Sequence, residues 1–217
     1  RNHFGFGPIT SASHLFVRNN LPAPPASLTD RGDDWSFDVA GCAREGSLTL
    51  ADLKRMKSRT VATVLQCSGN GRDFFPHDPS GSQWSVGAAG CVLWTGVSVA
   101  DIFEQFGGVQ PGLAYLTATG GEELPEGIDQ DAVVVERSVP IEKGLKDCLL
   151  VWEMNGAPLP VIHGGPVRLI VPGYFGVNNV KWVRQLAATA GESGAKIQQS
   201  GYRMRPEGMA GGPEHPS

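Results

Sequence analysis

Glycine and proline account for 29 and 16 of the 217 residues. Together that is about a fifth of the chain, against roughly 12% in average usage. This density constrains the fold more than any single motif. Proline removes a backbone donor and fixes φ, and glycine opens backbone conformations closed to other residues. A chain punctuated this often cannot build the long uninterrupted helices of a bundle. It must place many residues in turns between short elements. Hydrophobic content of 41% with 18% charged residues still supplies a core and excludes disorder. The length suits one domain. Lys plus Arg is 18 and Asp plus Glu is 22, a net charge of −4, which speaks against a nucleic-acid partner because such binding needs a basic footprint. No stretch approaches the ~18 apolar residues of a membrane span, so none is expected. The first residues carry no apolar leader run, and compartment is not read from them.

The elements that can be read are short. Trp35–Val39, Arg59–Leu65, Leu113–Thr119, Ala132–Val139, Leu149–Met154, Val167–Val171 and Asn179–Ala188 are β-branched or alternating and predict strands. His14–Val17 predicts a further short strand, and Cys91–Trp94 is a short apolar run. Thr49–Met56 predicts a helix with Thr49 and Asp52 as a capping pair. Ser98–Phe106 predicts another, capped by Ser98 and stopped by Gly107-Gly108. Pro140 would open a third, as its first helical residue, running to Leu145. Asn155-Gly156 is a hairpin signal. Arg1–Ser11 reads as surface coil, and Leu21–Pro25 as a stiff extended segment. Strands and helices do not alternate regularly, which favours α+β with mixed sheets and short helices over a doubly wound sheet.

Three clusters carry chemistry. The first is Cys67, which ends an apolar strand and is followed by Ser-Gly-Asn-Gly-Arg. Glycines after a strand end turn backbone N–H groups to one side and present the side chain. Such a cysteine suits a nucleophile, a metal ligand or plain core packing, since free cysteines are commonly buried. Arg72 adds a cation nearby that favours thiolate and attracts anions. The second cluster is Phe16-Val17-Arg18-Asn19-Asn20-Leu21-Pro22, a polar loop rich in donors. The third places His163, Arg168 and Lys181 among turn-forming glycines, a set suited to phosphate or another anion. A lone histidine in such a setting is more often structural than a ligand. Cys42, Cys67, Cys91 and Cys148 show no C-x-x-C spacing, which excludes a common structural zinc pattern. Two disulfides stay open, although a chain of this size does not need them.

Four segments, taken in order, carry a resemblance: FVRNNLPAP at 16–24, QCSGNGR at 66–72, EMNGAPLPVIHGGPVRLIVPG at 153–173 and NVKWV at 179–183. Together they resemble the molybdopterin-binding domain of the sulfite oxidase family, over roughly Ile9 to Arg203. The resemblance implies the mixed α+β fold of that family, one pterin dithiolene on molybdenum, and a single protein thiolate as metal ligand. It implies Cys67 as that ligand, Arg18, Arg72 and Tyr202 as catalytic residues, and cofactor contacts at Phe16, Arg18, Asn19, Asn20, Glu122, His163, Arg168, Asn179, Val180 and Lys181. The sequence departs from the family in places. Asn20 stands where many members have histidine, Gly71 replaces a frequent arginine, and the segment before Tyr202 lacks the usual aromatic residue.

The activity implied is oxidation of sulfite to sulfate by oxygen-atom transfer, with electrons passed singly to a cytochrome c. The implied compartment is the periplasm. The same fold also serves nitrate and sulfoxide reductases, and a metal-free Cys hydrolase or anion-binding module is the rival from another class. The chain has no C-x-x-C-H haem motif and no dinucleotide fingerprint. The organisation expected is a molybdopterin-binding domain over 1–203 and a flexible tail over 204–217, without the immunoglobulin-like dimerisation domain that follows in most members.

Overall fold

The computed structural model describes residues 7–77, 79–124, 126, 127, 135–204 and 206–209. Two five-stranded sheets organise them. The first contains β1 (Ser36–Ala40), β2 (Gly46–Thr49), β5 (Tyr115–Thr119), β6 (Glu136–Pro140) and β10 (Gln185–Thr189) in the order β2-β1-β10-β5-β6. Only the β1–β10 pair is parallel; the other pairs are antiparallel. The second sheet has the order β3 (Arg59–Gln66), β4 (Ala89–Ser98), β7 (Leu149–Met154), β8 (Ala157–Pro158), with β9 (Arg168–Ile170) also paired to β7. Mixed sheets and short helices make this an α+β fold.

The run Leu149–Met154 is buried at almost every position, which a simple alternation cannot explain. The register supplies the reason. Gly96 faces Val151, but Thr95 faces Glu153, so Trp152 is an extra residue in β7. The bulge restores phase: Leu149, Val151 and Met154 face one apolar cluster with Val92, Trp94 and Leu65. Leu150 and Trp152 face the larger one with Trp35, Phe37, Ile102, Phe103, Leu116 and Leu186. Opposite the bulge the backbones nearly touch. A Cβ on Gly96 would meet the Leu150 carbonyl oxygen at 2.0 Å, so only glycine fits.

Local signals behave as physical chemistry requires. The Leu50–Arg55 helix opens on Thr49, whose hydroxyl accepts from the Asp52 N–H while Asp52 accepts from the Thr49 N–H. That reciprocal cap contributes about 1 kcal/mol. The Val99–Gln105 helix starts on Ser98, which accepts from the Asp101 N–H. Asn155 and Gly156 both take positive φ between β7 and β8, the geometry a two-residue hairpin turn needs. Pro140 caps the Ile141–Asp147 helix from the end of β6, one position before the expected place.

Two expectations need correction. His14–Val17 is no strand. Its start is a turn in which the N–H groups of His14 and Leu15 donate to the Ser11 carbonyl and the Ser11 hydroxyl meets His14 Nδ1 at 2.9 Å. Local serine bonding outcompetes pairing there, and only Leu15 is driven into the core. Asn179–Ala188 is not one strand either: only Gln185–Thr189 is regular. Trp182 sits at φ +49 because its indole is fully buried and donates to the Val161 carbonyl at 2.8 Å. The β2 strand and the Lys196–Gln199 helix were not legible in the sequence pattern. All four cysteines are free. Residues 1–6 of the expected surface coil, 132–134 of the expected strand and 205 and 210–217 of the expected tail lie outside the described residues. Among the described residues no helix is long and apolar enough to cross a membrane.

Candidate active site

The β3–β4 hairpin places the cysteine. Beyond Gln66 the two chains keep exchanging bonds: the Cys67 N–H donates to Ala88 O at 2.9 Å, and the Gly71 N–H to Ser85 O at 2.6 Å. The Asn70 carboxamide accepts from the Ala88 N–H at 2.9 Å. This fastened loop turns Cys67 away from the sheet. The thiol is half-buried and accepts a 3.4 Å contact from the Gly69 N–H, as backbone donors after a strand end should do.

The 16–20 segment arrives by a different route. The Thr10 N–H donates to Cys91 O, Asn155 Nδ2 donates to Thr10 O, and Leu15 anchors in the smaller core. These ties lay Phe16, Arg18, Asn19 and Asn20 along the wall of a pocket of about 640 Å³, counting its open mouth. Cys67 and Ser68 line it from the hairpin, Glu122 and Val135 from the segments around β5 and β6, and Gly176–Trp182 from the connector before β10. Arg168 and Tyr202 complete the wall. The pocket therefore gathers Cys67, Arg18, Phe16, Asn19, Asn20, Glu122, Arg168, Asn179, Val180, Lys181 and Tyr202 from segments distant in sequence.

Two expected residues are not on this wall. His163 is buried, and its Nε2 donates to Ala12 O at 2.8 Å. Burial, with Lys181 and Arg168 adding repulsion, pushes its pKa down. Its carbonyl instead accepts from Arg168 Nη1 at 2.7 Å. Arg72 lies on the hairpin loop against Gly69 and Gly81 and donates to Ser82 O at 3.0 Å.

The electrostatics of the wall are one-sided. Arg168 is 2% exposed, donates to the carbonyls of Asn179 and His163 and stacks 5.4 Å from the Trp94 ring. No carboxylate pairs with it among the described residues, and burial lowers its pKa to about 9. Lys181 donates to Asn19 Oδ1 at 2.5 Å and to Ile162 O at 2.7 Å. Burial, then repulsion from Arg168, brings its pKa down to about 7. Its stem passes over Gly164, where a Cβ would meet Lys181 Cγ at 2.7 Å; glycine there is the condition for the lysine's path. Among the described residues Glu122 is the one carboxylate on the wall, and burial raises it to about 7 despite the pull of Lys181. The Asn179 side chain is spent internally, accepting from the Val171 N–H and donating to Phe175 O.

Arg168, a desolvated cation with no carboxylate partner among the described residues, is costly, and an anionic ligand relieves the cost. Among the described residues no three His, Cys, Asp or Glu side chains cluster to hold a metal by themselves. A metal beside Cys67 must therefore bring most of its own ligands. Arg18, Arg168 and Lys181 on the same wall as the Cys67 thiol suit an anionic ligand. The arrangement thus defines an anion-binding pocket with a free thiol on its wall.

The comparisons agree. The family model described as "Oxidoreductase molybdopterin binding domain" matches residues 22–197, and the chain belongs to that family. It is 33% identical over 194 residues to the mitochondrial sulfite oxidase of Drosophila melanogaster, covering 87% of this chain and 32% of that one. It is 34% identical over 207 residues to the sulfite oxidase of Gallus gallus, covering 90% and 42%. The NADPH nitrate reductase of Neurospora crassa is 30% identical over 212 residues, covering 88% and 21%. The crystal structure of the sulfane dehydrogenase SoxCD from Paracoccus pantotrophus superposes with a TM-score of 0.69 at 27% identity, covering 83% of this chain and 45% of that one. The chain spans about a third to a half of the length of the curated sulfite oxidases it matches.

Sequence reasoning missed several wall residues, among them Leu65, Ser68, Val135 and Val177, and a buried arginine beside the pocket. Arg137 on β6 is fully buried behind Tyr202. A single arginine in a short strand gives no periodic or motif signal.

Proposed function

We propose that this domain oxidises sulfite: sulfite and water become sulfate, two protons and two electrons, the electrons leaving singly to a cytochrome c. The observation that carries the reading is the Cys67 thiol on one wall with Arg18, Arg168 and Lys181. Relatives named as sulfite oxidases support it. The bound molybdenum–pterin group supplies two-electron oxygen-atom transfer.

The chain's own residues do the rest. Cys67 holds the metal as a thiolate. Arg168 and Lys181 hold the cofactor's negative groups, and the Asn179–Val180 backbone and Phe16–Asn20 shape its bed. Arg18, on the wall, holds the substrate dianion by charge-assisted hydrogen bonds; Arg72, off the wall and with one of its five donors on Ser82 O, supplements it from the hairpin loop. Tyr202, at the mouth, donates a hydrogen bond to the substrate.

The test is molybdenum and pterin per purified chain, followed by cytochrome c reduction with sulfite. One molybdenum per chain and sulfite-dependent reduction are expected. Absence of molybdenum from protein made with an intact pterin pathway overturns the reading. Turnover of nitrate but not sulfite would replace the substrate and keep the cofactor.

A further inference from the structure

We propose that Arg137 is the positioning residue for Tyr202, clamping two segments of the pocket rim to β6 so that the tyrosine hydroxyl stands at the reaction site. The proposal rests on the reading of this pocket as the active site.

Arg137 is 2% exposed on an edge strand of the first sheet. Its Nε donates to Asn178 Oδ1 at 3.0 Å, at the end of the Gly176–Asn178 turn whose Gly176 and Val177 line the pocket. Its Nη1 donates to the Ile197 carbonyl, inside the Lys196–Gln199 helix that leads to Tyr202. Its Cζ lies 5.9 Å from the Tyr202 ring centroid. Nη2 is buried and has no hydrogen-bond partner among the described residues, and no carboxylate forms an ion pair with Arg137 there.

Strength does not explain such a group. A buried cation with an idle donor is expensive, and an apolar side chain of similar volume fills the space at lower cost. What the guanidinium supplies is planarity: one rigid fork touches β6, the Gly176–Asn178 turn and the C-terminal segment at once. Tyr202 needs such a holder. Its φ is +58, a conformation non-glycine residues rarely adopt, so its own backbone preference does not keep it on the wall. Burial and the neighbouring Arg203 lower the guanidinium only to about 10. The cation therefore persists at neutral pH and attracts the ring face.

The experiment uses the full chain in two forms. In metal-free protein, hydrogen exchange of the amides at 196–203 is expected to quicken in Arg137→Met while β3 and β4 stay parental. In molybdenum-loaded protein, with sulfite as substrate and ferricyanide as acceptor, Arg137→Met should lower kcat roughly tenfold at unchanged molybdenum content. Arg137→Lys should fall between, keeping charge without the fork. Arg137→Met should cost nothing further in a Tyr202→Phe background, because the hydroxyl it positions is gone. Unchanged exchange, or additive losses in the double variant, overturns the proposal. Quickened exchange together with parental turnover in Tyr202→Phe keeps the clamp and removes the tyrosine from the reaction, which counts against the earlier reading instead. If Arg137→Met does not fold, Arg137→Lys carries both readouts, with the same outcomes at smaller size.

Discussion

Arg168→Met separates what a buried guanidinium does for the fold from what it does for a ligand. In the metal-free chain the charge is a burden. Burial takes its pKa from 12.5 to about 9, and at about 1.36 kcal/mol per pKa unit that is roughly 5 kcal/mol of lost solvation. Against this stand its bonds to the carbonyls of His163 and Asn179, whose loss strands two buried acceptors at about 1–3 kcal/mol each. The opposing effects nearly offset, so metal-free Arg168→Met is expected to unfold within about 3 kcal/mol of the parent. With an anionic cofactor bound the balance tips. A charge-assisted hydrogen bond contributes about 1.5–3 kcal/mol, and losing it weakens retention roughly ten- to a hundredfold. The assays are denaturant unfolding of metal-free protein, and molybdenum and pterin per folded chain after purification. A metal-free variant destabilised by more than about 4 kcal/mol, with parental cofactor content in its folded fraction, would refute the reasoning. Arg168 would then be a strut for two carbonyls and nothing more.

Cys67→Ser exchanges a soft sulfur for a hard oxygen and should abolish turnover of sulfite while the fold and circular dichroism persist; parental turnover would remove Cys67 from the metal. Arg72→Gln should raise KM for sulfite roughly tenfold at unchanged molybdenum content. A fall in molybdenum content with KM unchanged would make Arg72 a fastener of the 67–88 loop. Glu122 gives a pH test. Its carboxyl is raised from 4.5 to about 7 by burial, so the folded state holds that proton more tightly than the unfolded chain. The stability it contributes is full below about pH 4.5 and is lost as pH rises through about 7, by at most about 3 kcal/mol. In urea unfolding of metal-free protein, Glu122→Gln should flatten that decline, and an unchanged slope rules the carboxyl out as its source.

What the sequence revealed was mostly what is decided locally. The Thr49–Asp52 cap, the Ser98 cap and the Asn155-Gly156 turn each rest on a few adjacent residues, and each formed as expected. The motif segments also led to most of the pocket wall, because Cys67, Arg168 and Lys181 sit among glycines that serve no purpose in a plain core. The rest depends on residues far apart in the chain. The 179–184 stretch has strand composition but bends where Trp182 is pulled to the Val161 carbonyl. His163, expected as a cofactor contact, is buried with its Nε2 on the carbonyl of Ala12, 151 residues away in the chain. Arg137 becomes notable only when Asn178, Ile197 and Tyr202 converge on it. No local pattern encodes that meeting.

The place of β10 in the first sheet governs when this pocket can exist. Residues 185–189 lie between β1, from residues 36–40, and β5, from residues 115–119. Until the last of these strands is available, the sheet is two unjoined halves, and the pairing that closes it spans almost 150 residues of chain. Loop-closure entropy over such a distance must be met before the contact rewards it. The Asn179–Trp182 wall immediately precedes β10; it is tied to the 161–169 segment, where Ile162 and Val161 carbonyls accept from Lys181 and the Trp182 indole, and this whole stretch is made late in the chain. The cationic bed is therefore among the last parts of the domain to take shape during synthesis. A nascent chain still short of residue 168 presents Cys67 on its hairpin without Arg168 or Lys181, and the wall that faces the thiol belongs to the last quarter of the chain.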